Sequence, residues 1–166
     1  MRVAEIQLLF EYNDWANNKL LTKAAQLIAE QFTAPAHYAL GSLRKVLLHL
    51  MEAEWAWRVL LQSGEFVPDL VETDFATVAS MVERWEPERA LFRQYVAGLT
   101  DADLDGIVRY NVGERVRERV RWHCLTHVVN HGSQHRAEAA AILTGYDQSP
   151  GDLDFSVYML ERQQRG

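Results

Sequence analysis

The sequence predicts an all-α protein: a four-helix bundle with a short β-hairpin before its last long helix. Three observations carry that expectation. Apolar residues recur at spacings of three and four along four long stretches. Residues 107–120 break that period. Sparse punctuation, nine glycines and four prolines in 166 residues, divides the chain accordingly. The length suits one domain, residues 1–166, and 48% hydrophobic with 24% charged residues is the balance of a globular chain.

The first helix is expected from Val3 to Gln31. Leu9, Tyr12, Ala16, Leu20, Ala24, Leu27 and Ile28 form its apolar stripe, and Thr33-Ala34-Pro35 ends it. The second runs from Ser42, a candidate N-cap, to Gln62, with Gly64 as its stop. Leu43, Val46, Leu47, Leu50, Trp57, Leu60 and Leu61 make its main stripe. Leu48, Trp55 and Val59 make a second one well round the helix, which suggests burial on two sides. The third covers roughly Phe75 to Leu99, where Pro87 either kinks the helix or starts a new segment. Ile107-Val108-Arg109-Tyr110 and Val116-Arg117-Glu118-Arg119-Val120, flanking Asn111-Val112-Gly113-Glu114, predict the hairpin. The fourth helix runs from about Trp122 to Leu143, then Gly145 stops it. A loop through Pro150-Gly151 leads to a short final helix over 156–166.

Composition excludes several classes of function. With 17 basic and 23 acidic residues the net charge is −6, which disfavours nucleic acid and anionic membranes as partners. The arginines around the hairpin (109, 115, 117, 119 and 121) are a local exception, but Tyr110 and Trp122 alone interleave them. A single cysteine, Cys124, rules out an internal disulfide framework and a cysteine-rich zinc site. No apolar run nears the ~18 residues of a membrane span, and the N-terminus lacks a signal-peptide layout, so a cytoplasmic location is expected.

Four of six histidines, His123, His127, His131 and His135, lie four residues apart on the fourth helix. Neighbours in such a series have Cβ atoms ~5–6 Å apart and can share one metal ion. Three in a row cannot, because His127 and His135 are separated by ~12 Å of rise. Measured from the direction set by Leu125, Val128, Val129, Ile142 and Leu143, His135 lies about 60° away and His131 about 100°. His127 lies about 140° away and His123 nearly opposite. His131 and His135 are therefore the candidate pair. His49 sits at a stripe edge of the second helix and can face them if those helices pack together. Three neutral imidazoles would leave positions open for water or substrate, as catalytic metal sites do. Nearby, Glu52 is a fourth donor, a base, or a solvated carboxylate. Arg136 meets an anionic substrate or pairs within the bundle. Cys124 reads as a buried core residue, and His37 as a loop residue.

His127-Val128-Val129-Asn130-His131-Gly132-Ser133-Gln134-His135-Arg136 resembles the fourth-helix signature of the DinB family, the DinB/YfiT-like metal-binding four-helix bundles. So does Ser149-Pro150-Gly151-Asp152-Leu153-Asp154-Phe155. Tyr12-Asn13-Asp14-Trp15-Ala16-Asn17 and His49-Leu50-Met51-Glu52-Ala53-Glu54-Trp55 resemble its first- and second-helix motifs. The resemblance implies a bundle with a long crossover connection, often a homodimer, in which His49, His131 and His135 hold a divalent metal. Imidazole donors favour zinc or nickel. The family includes thiol-dependent S-transferases and isomerases that use low-molecular-weight thiols, as well as members of unknown activity. With the open three-histidine site, this leads us to expect a metal-dependent transferase or hydrolase acting on a small molecule, with such a thiol as a candidate cosubstrate. The alternative is a non-catalytic, metal-stabilised dimeric bundle with a sensing or binding role. Gln134 departs from the pattern, since many members carry a histidine there, and this bears on the substrate side of the pocket.

Overall fold

The computed structural model describes residues 1–38 and 40–165. In chain order the elements are α1 (Val3–Ala24), α2 (Ala29–Thr33), α3 (Leu43–Ser63), a 3-10 turn (Glu72–Asp74), α4 (Val78–Ala97) and α5 (Asp101–Leu104). The strands β1 (Ile107–Val112) and β2 (Arg115–Val120) follow, then α6 (Arg121–Thr144) and α7 (Phe155–Arg165).

The expected first helix is two helices. Its last turn tightens into three-residue bonds, Gln26 N–H to Lys23 O at 3.1 Å and Leu27 N–H to Ala24 O at 3.0 Å. The chain then turns, which brings Phe32 of α2 fully into the core. Burying that ring outweighs continuing the helix. The ends of α3 match their signals. Ser42 Oγ accepts from Lys45 N–H at 3.2 Å, and Gly64 has the left-handed φ of 76° that closes a helix. Pro87 lies inside a continuous α4. It sits on the exposed side, where water can take the Glu83 carbonyl that a proline nitrogen cannot bond. The hairpin pairs Ile107 with Val120 through Val112 with Arg115, and Gly113, at φ 59°, makes the two-residue turn with Glu114. The short final helix expected over 156–166 is α7; Gly166 lies outside the described residues.

Helix α1 packs against α4 and α6, and α3 packs against the same two. The pairs α1/α3 and α4/α6 therefore sit on diagonals. The connections between diagonal partners, 25–42 and 98–120, cross the bundle; the second carries α5 and the hairpin. Among the described residues no helix is long and apolar enough to cross a membrane.

The core is in two parts. Ile6, Phe10, Phe92, Val96, Leu125 and Val128 fill the hairpin end, while Leu20, Leu43, Leu47, Met51, Met81 and Leu143 fill the other. A buried polar layer separates them. Glu54 accepts hydrogen bonds from Asn13 Nδ2 (2.6 Å), Asn17 Nδ2 (2.8 Å) and Trp85 Nε1 (2.6 Å). The Arg136 guanidinium, 1% exposed, donates to the side-chain oxygens of the same two asparagines and to Ser133 Oγ. Asn13 and Asn17 thus bridge a buried carboxylate to a buried guanidinium. Alone, each charge would be costly to bury; linked, each gains hydrogen-bond partners, and of the Arg136 nitrogens the Nε has none among the described residues. The second stripe of α3 is divided: Leu48 is buried in the core part that holds Phe75 and Val78, whereas Trp55 and Val59 are half-exposed. The Arg84 guanidinium lies 4.8 Å from the Trp55 ring.

Candidate metal centre

The packing of α3 on α6 brings His49 against His131 and His135. Their ligand nitrogens all lie within 4.8 Å of one another. His49 Nε2 and His131 Nε2 are 3.1 Å apart, near the roughly 3.3 Å that two ~2.0 Å bonds at a tetrahedral angle impose. The His49 ring stands edge-on to both partners, 4.9 Å and 4.6 Å between centroids. Among the described residues no fourth histidine, cysteine or carboxylate joins the group.

The electrostatics suit a cation. Burial, then the neighbouring histidines, bring the His131 pKa from the usual 6.5 down to about 4. Burial and His135 push His49 down as well. These rings therefore present neutral nitrogens, the form that binds metal. His135 Nδ1 lies 3.2 Å from Glu138 Oε2. A carboxylate on one ring nitrogen fixes the tautomer and aims the other nitrogen at the common point.

The remaining residues divide into those that meet the site and those that serve the scaffold. His123 is exposed and stands edge-on to Trp122. His127 is exposed too, but it packs edge-on to Trp57 at 5.1 Å and lies 5.7 Å from the His131 ring, at the rim of the site. Glu52 is used elsewhere: its carboxylate accepts from Leu70 N–H at 2.6 Å and pins the α3–α4 connection. Arg136 is held in the polar layer by its hydrogen bonds, and Cys124 is a buried free thiol. Sequence reasoning missed two carboxylates. Glu138 was findable, three residues after His135 on one helix face. Glu54 was not, because its partners come from α1 and α4.

Beside the triad a cleft of about 260 Å³ opens between α3, α6 and the hairpin. Trp57, Tyr110, Arg119, His123, Cys124 and His127 line it. The DinB family model matches residues 1–165. The chain belongs to the DinB family. It is 25% identical over 164 residues to "Protein DinB" of Bacillus subtilis (strain 168), a likeness covering 93% of this chain and 95% of that protein. In this DinB-family chain the first-helix motif supplies Asn13 and Asn17 to the polar layer, and the second-helix motif supplies His49 to the triad and Glu54 to the layer. Gly132, in the fourth-helix motif, leaves room for Arg136: a Cβ there would stand 2.6 Å from an Arg136 nitrogen and 3.0 Å from Asn13 Oδ1.

Proposed function

We propose that this chain is a metal-dependent enzyme of the thiol-dependent S-transferase or hydrolase class. In this reading it is a cytoplasmic homodimer that acts on a small molecule, with a low-molecular-weight thiol as cosubstrate in the transferase case. His49, His131 and His135 would hold one divalent ion, zinc or nickel. The observation that carries the reading is the donor set: three imidazoles converging from two helices, with no fourth protein donor among the described residues and a cleft alongside. The chemistry such an ion supplies is Lewis acidity, which lowers the pKa of a thiol or water into the neutral range.

The chain's own contributions follow from its geometry. Glu138 holds the His135 ring in one tautomer. Burial keeps His49 and His131 deprotonated and ready to ligate. Trp57 and His127 pack edge-on and line the cleft beside the triad.

The test is a metal-content measurement followed by an activity screen. Protein loaded with zinc or with nickel is presented with several thiols and with electrophilic and hydrolysable small molecules. Turnover that disappears in His131→Ala supports the reading. About one bound ion per chain with no turnover in any pairing would favour the non-catalytic bundle, in which the ion ties α3 to α6.

A further inference from the structure

We propose that the cleft beside the histidine triad is a binding site for a small organic carboxylate, with Arg119 holding the carboxylate and Trp57 and Tyr110 forming its apolar walls. The inference deepens the functional reading above and relies on it only for the ligand's position next to the triad.

Strand pairing sets the argument. Residues opposite one another in an antiparallel pair project to the same face. Val108 pairs with Arg119, Tyr110 with Arg117, and Val112 with Arg115. Val108 and Tyr110 are buried, so that face of the hairpin is turned to the bundle. Half-buried faces are normally apolar, yet β2 places three arginines on this one.

The five arginines of this region differ in what they do. Arg109, on the opposite face, pairs with Glu118 at 2.6 Å. Arg121 is spent on the Asp103 and Leu61 carbonyls and on Tyr95 Oη. Arg115, Arg117 and Arg119 have no carboxylate within salt-bridge distance among the described residues, although acids outnumber bases in the chain by 23 to 17. An unpaired basic strip in an acidic molecule is a local field that draws anions.

Arg119 is the member that reaches the cleft. Its Nε donates to Tyr110 Oη at 3.0 Å, which orients the guanidinium and leaves both terminal nitrogens as a fork for a carboxylate. The walls are aromatic: the Trp57 and Tyr110 rings stand edge to face, 6.5 Å between centroids. At about 260 Å³ the space is below the ~300–1,000 Å³ of drug-sized sites, so the ligand is small. His127 lines the cleft and its ring lies 5.7 Å from that of His131, so the cleft adjoins the triad. The larger groove, about 840 Å³ between α1 and α4, is a weaker candidate because Asp14, Glu86, Arg89 and Arg93 in it already pair with one another.

Phenylacetate is a suitable probe, with one ring for the walls and one carboxylate for Arg119. Binding is followed by saturation-transfer NMR and titration calorimetry on chelator-treated protein, so that no metal contributes. Wild type should bind phenylacetate, and Arg119→Gln should weaken it about tenfold, the loss expected of one charge-assisted pair. Phenylacetamide should bind the wild type as weakly as phenylacetate binds the variant. Unchanged circular dichroism in Arg119→Gln, an exposed strand position, shows that the fold is retained; if it is not, Trp57→Ala provides the same comparison. Equal binding of phenylacetate and its amide, no phenylacetate binding at about 10 mM, or tighter binding of inorganic phosphate would each overturn the inference. A chain that takes up no metal yet binds phenylacetate through Arg119 keeps this inference and loses the earlier reading. Metal uptake without Arg119-dependent binding does the reverse.

Discussion

His131 and His135 stand one helical turn apart, and a metal ion held by both depends on each. His131→Ala or His135→Ala should therefore abolish tight uptake of zinc or nickel in a titration, while His123→Ala, exposed and outside the triad, should leave it intact. Equal loss in all three would show that the ligand pair lies elsewhere on the helix. Acid should act on the metal-free protein through the same rings. His131 titrates at about 4 when folded, against 6.5 for a free imidazole, and His49 is shifted the same way. Between those values the unfolded chain binds more protons than the native one. The stabilisation is thus fully present above about pH 6.5 and is lost as pH falls towards 4. Urea titrations of apo protein from neutral to acid pH should show this loss, with a shallower slope in His131→Leu. Gly132 makes a different test. Alanine normally favours a helix interior by about 1 kcal/mol, but here its Cβ would strike an Arg136 side chain pinned by two asparagines. Gly132→Ala should destabilise the fold by about 1–3 kcal/mol in urea, and a stabilised variant would show that Arg136 moves freely.

At the scale of elements, the hairpin and α3 meet at Gly64. Its φ of 76° already disfavours any other residue, and an added Cβ would lie 3.0 Å from the Arg109 carbonyl of β1. Gly64→Ala should cost about 1 kcal/mol or more, and hydrogen exchange should quicken first at the α3 end and in β1. Uniform loosening of all four long helices would contradict a local cause. Helix existence was legible because each long helix carries a period of three and four, as Leu43, Val46, Leu47 and Leu50 show in α3. Its ends were legible where a cap has local chemistry, as at Ser42 and Gly64. The break after Ala24 was not, because residues 25–28 contain no glycine or proline; the break serves Phe32, whose burial against distant residues no local pattern encodes. Pro87 was ambiguous for a related reason, since its effect depends on which side of α4 faces water.

For the whole molecule, the open question is assembly. The chain buries Leu48 itself, yet Trp55 and Val59 remain half-exposed along α3. A twofold contact through this face would cover both on both subunits. Light scattering at micromolar concentration should give twice 19.1 kDa for wild type and a mass near one chain for a folded Trp55→Glu. A wild type that runs at one chain's mass would end the dimer proposal.

The sequence by itself determined the class of fold, the α6 histidine pair and the face of α3 that carries His49. Each of these is a matter of period and spacing along a single helix, and helical geometry is nearly the same in every context. Tertiary structure alone decided that α3 lies beside α6, which turns a pair into a triad. It also decided that Glu54 and Arg136 meet through Asn13 and Asn17 in the core, and that Arg119 of β2 lines the cleft. Those relations join residues from different elements. They depend on which elements become neighbours, and that choice is set by how the whole chain buries its apolar surface rather than by any local run of residues.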